Sequence, residues 1–163
     1  MTAGSAIDIH CLGPTEIVAM RRLLDVFGAA FEDHERYSSE QPGDRYLADL
    51  LAKPTFISIV AMASGDVVGG LTAYVLDKPE REDSEIYIYD LAVTERYRRR
   101  GVATALIRRL QTIAELRGAR VIFVQADLED APAIALYQKL GSQETAHHFD
   151  IEVPRRTPTR RTD

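Results

Sequence analysis

EIYIYDLAVTERYRRRGVATAL, residues 85–106, changes character twice within one short span. Its first nine residues are almost unbroken in apolar and aromatic side chains, the composition of a strand buried on both faces, with Asp90 set inside it. From Gly101 onward the period becomes helical, with Ala103, Leu106, Ile107, Leu110 and Ile113 on one face and Gly118 as the stop. Between the two lies TERYRRRG. A strand, a short Arg/Gly loop and a helix start aim free backbone N–H groups and the positive helix end at one point, which makes that point a site for an anion. Gly101 lets the backbone approach, Val102 and Ala103 keep side chains small or turned away, Thr104 offers a hydroxyl, and Arg98, Arg99 and Arg100 supply charge. A solvated basic helix start is the competing explanation.

The order of elements around this unit is that of an α/β domain. A short strand near Ile7–Leu12 leads through Gly13-Pro14 into a helix with Ile17, Met20, Leu23, Phe27 and Phe31 on one face. After EDHERYSSEQPGD a second helix points Tyr46, Leu47, Leu50 and Leu51 inward and stops at Pro54. TFISIVAMA and VVGGLTAYVL, joined by SGD, read as a hairpin, and the acidic loop DKPEREDS leads into the central strand. Downstream, RVIFVQAD reads as a buried strand. DAPAIALYQKLG is a helix capped by Asp130, with Pro132 in its first turn, and HHFDIEV closes a mixed central sheet flanked by helices.

Charge and composition bound the partners. The 163 residues carry a net charge of −5, and the last ten, PRRTPTRRTD, hold +3 of it, which leaves −8 on residues 1–153. We read residues 1–153 as one domain and 154–163 as a disordered basic tail. So acidic a body disfavours nucleic acid and favours a polycationic amine or a basic protein. The sequence has neither a secretory signal pattern nor an apolar run long enough for a membrane span, so the expectation is a cytoplasmic protein that binds no membrane. The single cysteine, Cys11, and the four histidines form no metal-ligand spacing, and no metal is expected.

Arg98-x-x-Gly101-x-Ala103 between a strand and a helix, with ALYQKLG one strand later, resembles the GNAT superfamily of acetyl-CoA-dependent N-acetyltransferases. The resemblance implies that acetyl-CoA binds where the central parallel strands splay. Amides from about Arg99 to Thr104 would cradle the pyrophosphate, and Leu91, Val93 and Asp130 would contact the pantetheine arm between the strands ending at Val93 and Asp127. It also implies that Tyr137 protonates the departing thiolate, a role that suits a hydroxyl held near sulfur. The chain departs from the family pattern in carrying Asp130 where Asn is common and Ser142 where Phe is common.

LDVFGAAFED, YLADLLAKPTFI, SEIYIYDLAV, RRRGVATALI, VQAD and ALYQKLG...HFDI, spread over residues 8–152, are similar to the type I aminoglycoside 3-N-acetyltransferases. That branch acetylates the 3-amine of the 2-deoxystreptamine ring in gentamicin-type antibiotics and so confers resistance. The proton acceptor stays open between residues. Asp90 is placed best, with a structural carboxylate at a bulge as the alternative. Glu85, an odd number of residues away, is expected on the opposite face of the strand, and Asp127 and Asp150 are further candidates for holding the acceptor. The acidic runs Glu32-Asp33-Glu35 and Glu80-Glu82-Asp83 are either a pocket rim or solvated loops. Transfer is expected by direct attack in a ternary complex, because Cys11 lies far from the motif and has no evident base. Polyamine or protein-amine acetylation, or a non-catalytic acyl-CoA sensor, are the alternatives. A homodimer is compatible with the sequence without being required by it.

Overall fold

The computed structural model describes residues 6–154. The expected tail beyond Pro154 lies outside the described residues. The chain falls into two compact units, one ending at Asp127 and one beginning at Leu128.

The first unit is a five-stranded sheet in the order β1-β2-β3-β4-β5, formed by β1 (Asp8–Cys11), β2 (Phe56–Ala63), β3 (Asp66–Asp77), β4 (Ser84–Val93) and β5 (Ala119–Val124). β1 to β4 are joined antiparallel, and β4 pairs parallel with β5. A parallel pair needs a crossover, and α3 (Val102–Leu116) supplies it. α1 (Ile17–Ala30) and α2 (Asp44–Leu51) cover one face of the sheet. Their core sets Met20, Leu23, Val26 and Phe27 of α1 and Leu47 and Leu51 of α2 against Phe56, Val60, Val67 and Ala92. Leu23 and Phe27 are wholly buried; each such burial is worth roughly 1.5–3 kcal/mol. α3 packs on the sheet with Val102, Leu106, Ile107, Leu110 and Ala114 buried. Gly118 follows its last turn with a φ of 70°, as the C-terminal stop requires.

Three expectations need correction. Tyr46 is 62% exposed, because the short α2 buries only its Leu47 and Leu51 side. β5 is not a buried strand: Val121 and Phe123 alternate outward, so the apolar run marked a strand but not its depth.

The third concerns the second unit, which holds α4 (Ala131–Gln138). Asp130 caps this helix, its Oδ1 accepting the Ala133 N–H at 3.1 Å. HHFDIEV forms no strand, and Phe149, Ile151 and Val153 are exposed. Alternation marks a strand with one buried face, but it does not by itself supply the partner backbone that a ladder needs. Among the described residues no helix is long and apolar enough to cross a membrane.

Candidate active site

The loop between β4 and α3 is shaped by local hydrogen bonds. Thr94 N–H donates to the Val68 carbonyl at 2.9 Å, and a 3₁₀ turn spans Glu95–Tyr97. Arg98 Nε donates to the Val93 carbonyl at 3.0 Å, fastening the loop to the strand end. The three arginines therefore differ: Arg98 is partly structural, Arg99 takes a φ of 59°, and Arg100 lies over the Tyr97 ring, 5.5 Å from its centroid.

Gly101 has a φ of 79°, and a Cβ placed on it would meet nothing within 4 Å. Glycine is needed here for the left-handed turn, while the space in front of it stays open. The first bond of the α3 ladder runs from Ala105 N–H to the Gly101 carbonyl at 2.9 Å. The amides of Val102, Ala103 and Thr104 precede it, so they remain available to an acceptor. Open space, unladdered amides and neighbouring guanidinium groups fit the pyrophosphate of a nucleotide cofactor.

Beside this turn the parallel strands part. β4 and β5 pair from Ser84 to Ile88, which stands opposite Val124, and there the ladder ends while β4 runs on to Val93. Leu91 and Val93 lie on the stretch of β4 that has left β5.

The parting begins at a bulge. Thr72 pairs with Asp90 and Ala73 with Ile88, so Tyr89 is an extra residue with no partner in β3. The extra residue reverses the alternation of side chains. Glu85, Tyr87 and Asp90 stand opposite Leu76, Tyr74 and Thr72, which share one face of an uninterrupted strand. Asp90 and Glu85 thus share a face, contrary to the expectation from their odd spacing.

Asp90 is half-buried on the side covered by α1. Its Oδ1 accepts the Tyr37 hydroxyl at 2.9 Å, and its Oδ2 accepts the Thr72 hydroxyl at 3.2 Å. Burial raises the Asp90 pKa, opposed by these two hydrogen bonds and by the nearby Arg36 charge. Tyr37 is pushed up to about 12 by burial and by the carboxylate it serves, so its hydroxyl is a donor at neutral pH. An aromatic file runs alongside: Phe56, Tyr74, Tyr89, Tyr87 and Phe123 each contact the next, with centroids 4.9–5.9 Å apart.

Glu85 is paired with Lys78 at 3.2 Å, and Lys78 also reaches Glu80 at 3.0 Å. Asp83 pairs with Arg120. These carboxylates are already countered, which weakens the case for the 80–83 run as a free acidic rim. Asp127 is exposed at the end of the first unit. In the second unit, Asp150 is exposed and contacts the His148 ring at 3.0 Å, and Asp130 serves as the helix cap. Tyr137 lies on α4 with its pKa raised, first by burial and then by the Asp130 charge. Among the described residues no group of three His, Cys, Asp or Glu side chains is arranged to hold a metal.

Sequence reading passed over Tyr37 and Thr72. Thr72 carried no signal inside an apolar strand, and Tyr37 sat in a polar run whose only hint was its aromatic ring.

A parallel pair that separates beside an open helix start is a place where the anionic part of a nucleotide ligand can bind. Residues 20–142 match the Acetyltransferase (GNAT) family, and the chain belongs to that family. That family uses acetyl-CoA, and the chain has the mixed, helix-flanked sheet expected of a member.

The chain is similar in structure to an aminoglycoside acetyltransferase from an uncultured soil metagenomic sample, with a TM-score of 0.90 and 53% identity over 91% of this chain and 99% of that one. A second aminoglycoside acetyltransferase from such a sample, solved in complex with sisomicin, aligns with a TM-score of 0.83 and 30% identity over 91% of this chain and 97% of that one. By sequence, the L-amino acid N-acetyltransferase AaaT of Escherichia coli is 37% identical over 68% of this chain. The chain spans only 64% of that protein's length, and 40% of N-acetyltransferase family 8 member 2 of Rattus norvegicus, to which it is 33% identical over 55% of its own length.

Proposed function

We propose that the protein acetylates an aminoglycoside, at the 3-amine of the 2-deoxystreptamine ring in gentamicin-type antibiotics, and thereby confers resistance in the cytoplasm. The observation that carries this reading is Asp90, a half-buried carboxylate held at the bulge where β4 leaves β5, in a chain 53% identical to an aminoglycoside acetyltransferase. Acetyl-CoA supplies the acetyl group.

The chain's own groups then have distinct tasks. Amides from Arg99 to Thr104, with the Arg98–Arg100 charges, hold the anionic end of the cosubstrate, and Leu91, Val93 and Asp130 hold its arm. Asp90 takes a proton from the acceptor's ammonium through a carboxylate oxygen, which its raised pKa suits, and the neutral amine so formed attacks the thioester carbonyl. Tyr137, kept protonated by burial, gives its hydroxyl proton to the leaving sulfur. Glu85, Asp127 and Asp150 hold the other amines, with Lys78 displaced from Glu85 as a cationic acceptor arrives. The Cys11 thiol is pushed up by burial, in keeping with direct attack rather than a cysteine-bound acetyl group.

Thiol release from acetyl-CoA, measured with gentamicin, kanamycin, spermidine and a histone-tail peptide, tests the reading. Turnover with gentamicin and NMR of a product acetylated at the 3-amine are expected. Acetyl on another amine overturns the regiochemistry, and turnover with spermidine alone overturns the acceptor class.

A further inference from the structure

The segment between α1 and α2 is fastened at both ends. At its start, Asp33 N–H donates to the Gly28 carbonyl at 3.0 Å and Tyr37 N–H to the Asp33 carbonyl at 3.2 Å. Asp33 Oδ1 also accepts the Arg36 N–H at 3.1 Å, and a π-helical turn follows over Glu35–Ser39. At its end, Gln41 donates to Asp25 Oδ1 at 3.0 Å, and Arg21 donates to the Pro42 carbonyl at 2.8 Å and to Asp44 Oδ1 at 2.6 Å. The middle lies directly on α1. A Cβ on Gly28 would come within 2.6 Å of Ser38 Oγ and 3.3 Å of Tyr37 Cβ, so any larger residue would have to turn the Ser38 hydroxyl aside and push the segment outward. The Tyr37 ring is then wedged against Phe27 at 5.9 Å and Phe31 at 5.7 Å between centroids. In this position its hydroxyl donates to Asp90 Oδ1 at 2.9 Å.

We propose that residues 32–43 form a strap whose Tyr37 is a positioning residue, fixing the rotamer of Asp90 and stabilising its carboxylate as the proton acceptor. This deepens the acetyl-transfer reading and rests on its assignment of Asp90. The strap supplies what the sheet alone does not. Thr72 holds Oδ2 from within the sheet, while Oδ1 depends on a residue 53 positions earlier in the chain. The groups facing Asp90 are Tyr37 and Arg36 on the strap, Thr72 and Tyr74 on β3, and Tyr87 and Tyr89 on β4. Of the neutral groups, only Tyr37 and Thr72 donate to the carboxylate, and Arg36 is the cation. A hydrogen bond to the charged form favours it, so removing the Tyr37 hydroxyl makes Asp90 harder to ionise.

Tyr37→Phe removes the hydroxyl and keeps the ring contacts. Carboxyl carbon NMR of protein labelled at aspartate, with the Asp90 signal assigned by its loss in Asp90→Asn, reads the titration without any turnover. The expected result is a move of the Asp90 titration to higher pH by about one unit, with the acid limb of kcat/KM moving alongside it. A merely structural tyrosine would lower the melting temperature and leave both midpoints in place. If Asp90→Asn is slow but Tyr37→Phe titrates like the parent protein, the strap inference falls alone. If Asp90→Asn turns over as fast as the parent, the base assignment falls and takes this inference with it.

Discussion

Asp90 and Glu85 lie five residues apart on β4, yet they face the same side of the sheet, because Tyr89 is an unpaired residue between them. Two carboxylates of unlike surroundings are thereby brought to one surface. Asp90 is half-buried and held by two hydroxyls, whereas Glu85 is at the strand's start and bound to Lys78.

That difference predicts different kinetic signatures. Asp90→Asn should lower kcat by about 10²–10⁴-fold, the usual contribution of a general base, with a modest change in acceptor KM. Glu85→Gln should raise acceptor KM and leave kcat near that of the parent, since it removes attraction for an amine without touching the proton transfer. Steady-state thiol-release assays separate the two; a fall in kcat for Glu85→Gln comparable to that of Asp90→Asn would reverse the roles.

Asp90 also makes stability depend on pH with a definite sign. Its pKa is raised in the folded protein, so its contribution is fully present below the unfolded-state pKa and is lost as pH rises through the folded one. At neutral pH the parent carries a charge that burial disfavours, and Asp90→Asn does not. The variant should therefore melt higher than the parent at neutral pH, with the gap shrinking as pH falls into the carboxylate range. Thermal melts of both proteins across that range check the prediction, and a gap that widens on acidification would contradict it.

Gly101→Val should act on both backbone and ligand. A φ of 79° is strained for any residue with a β-branched side chain, at a cost of about 1–2 kcal/mol, so the melting temperature should fall slightly. The added methyl groups would stand in the open space before the α3 amides. Calorimetric affinity for CoA should drop by more than the loss of stability explains, whereas Gly101→Asn, which tolerates the left-handed region, should keep the stability. Unchanged CoA affinity in Gly101→Val would rule out the cradle.

Tyr137→Phe should leave the KM of both substrates near the parent value and lower kcat, because only the departing sulfur loses a proton donor. Burial keeps the tyrosine protonated, so the loss should be the same throughout the neutral range. A variant as fast as the parent would assign that proton to water.

What could be read along the chain were the features that depend on neighbours in sequence. Helical spacing in α1 and α3, Asp130 as the cap of α4, and the strand-loop-helix reading around Gly101 all rest on interactions within a few residues. Tertiary structure decided the rest. The bulge at Tyr89 is a mismatch in length between two strands, so no period within β4 could reveal it or the common face of Glu85 and Asp90. Tyr37 meets Asp90 only because α1 and its strap fold over the sheet, a contact whose sign is written in neither segment. Exposure follows the same rule. HHFDIEV alternates like a strand, and Tyr46 falls on a helical apolar face, yet pairing and burial belong to whatever backbone or side chain arrives from elsewhere.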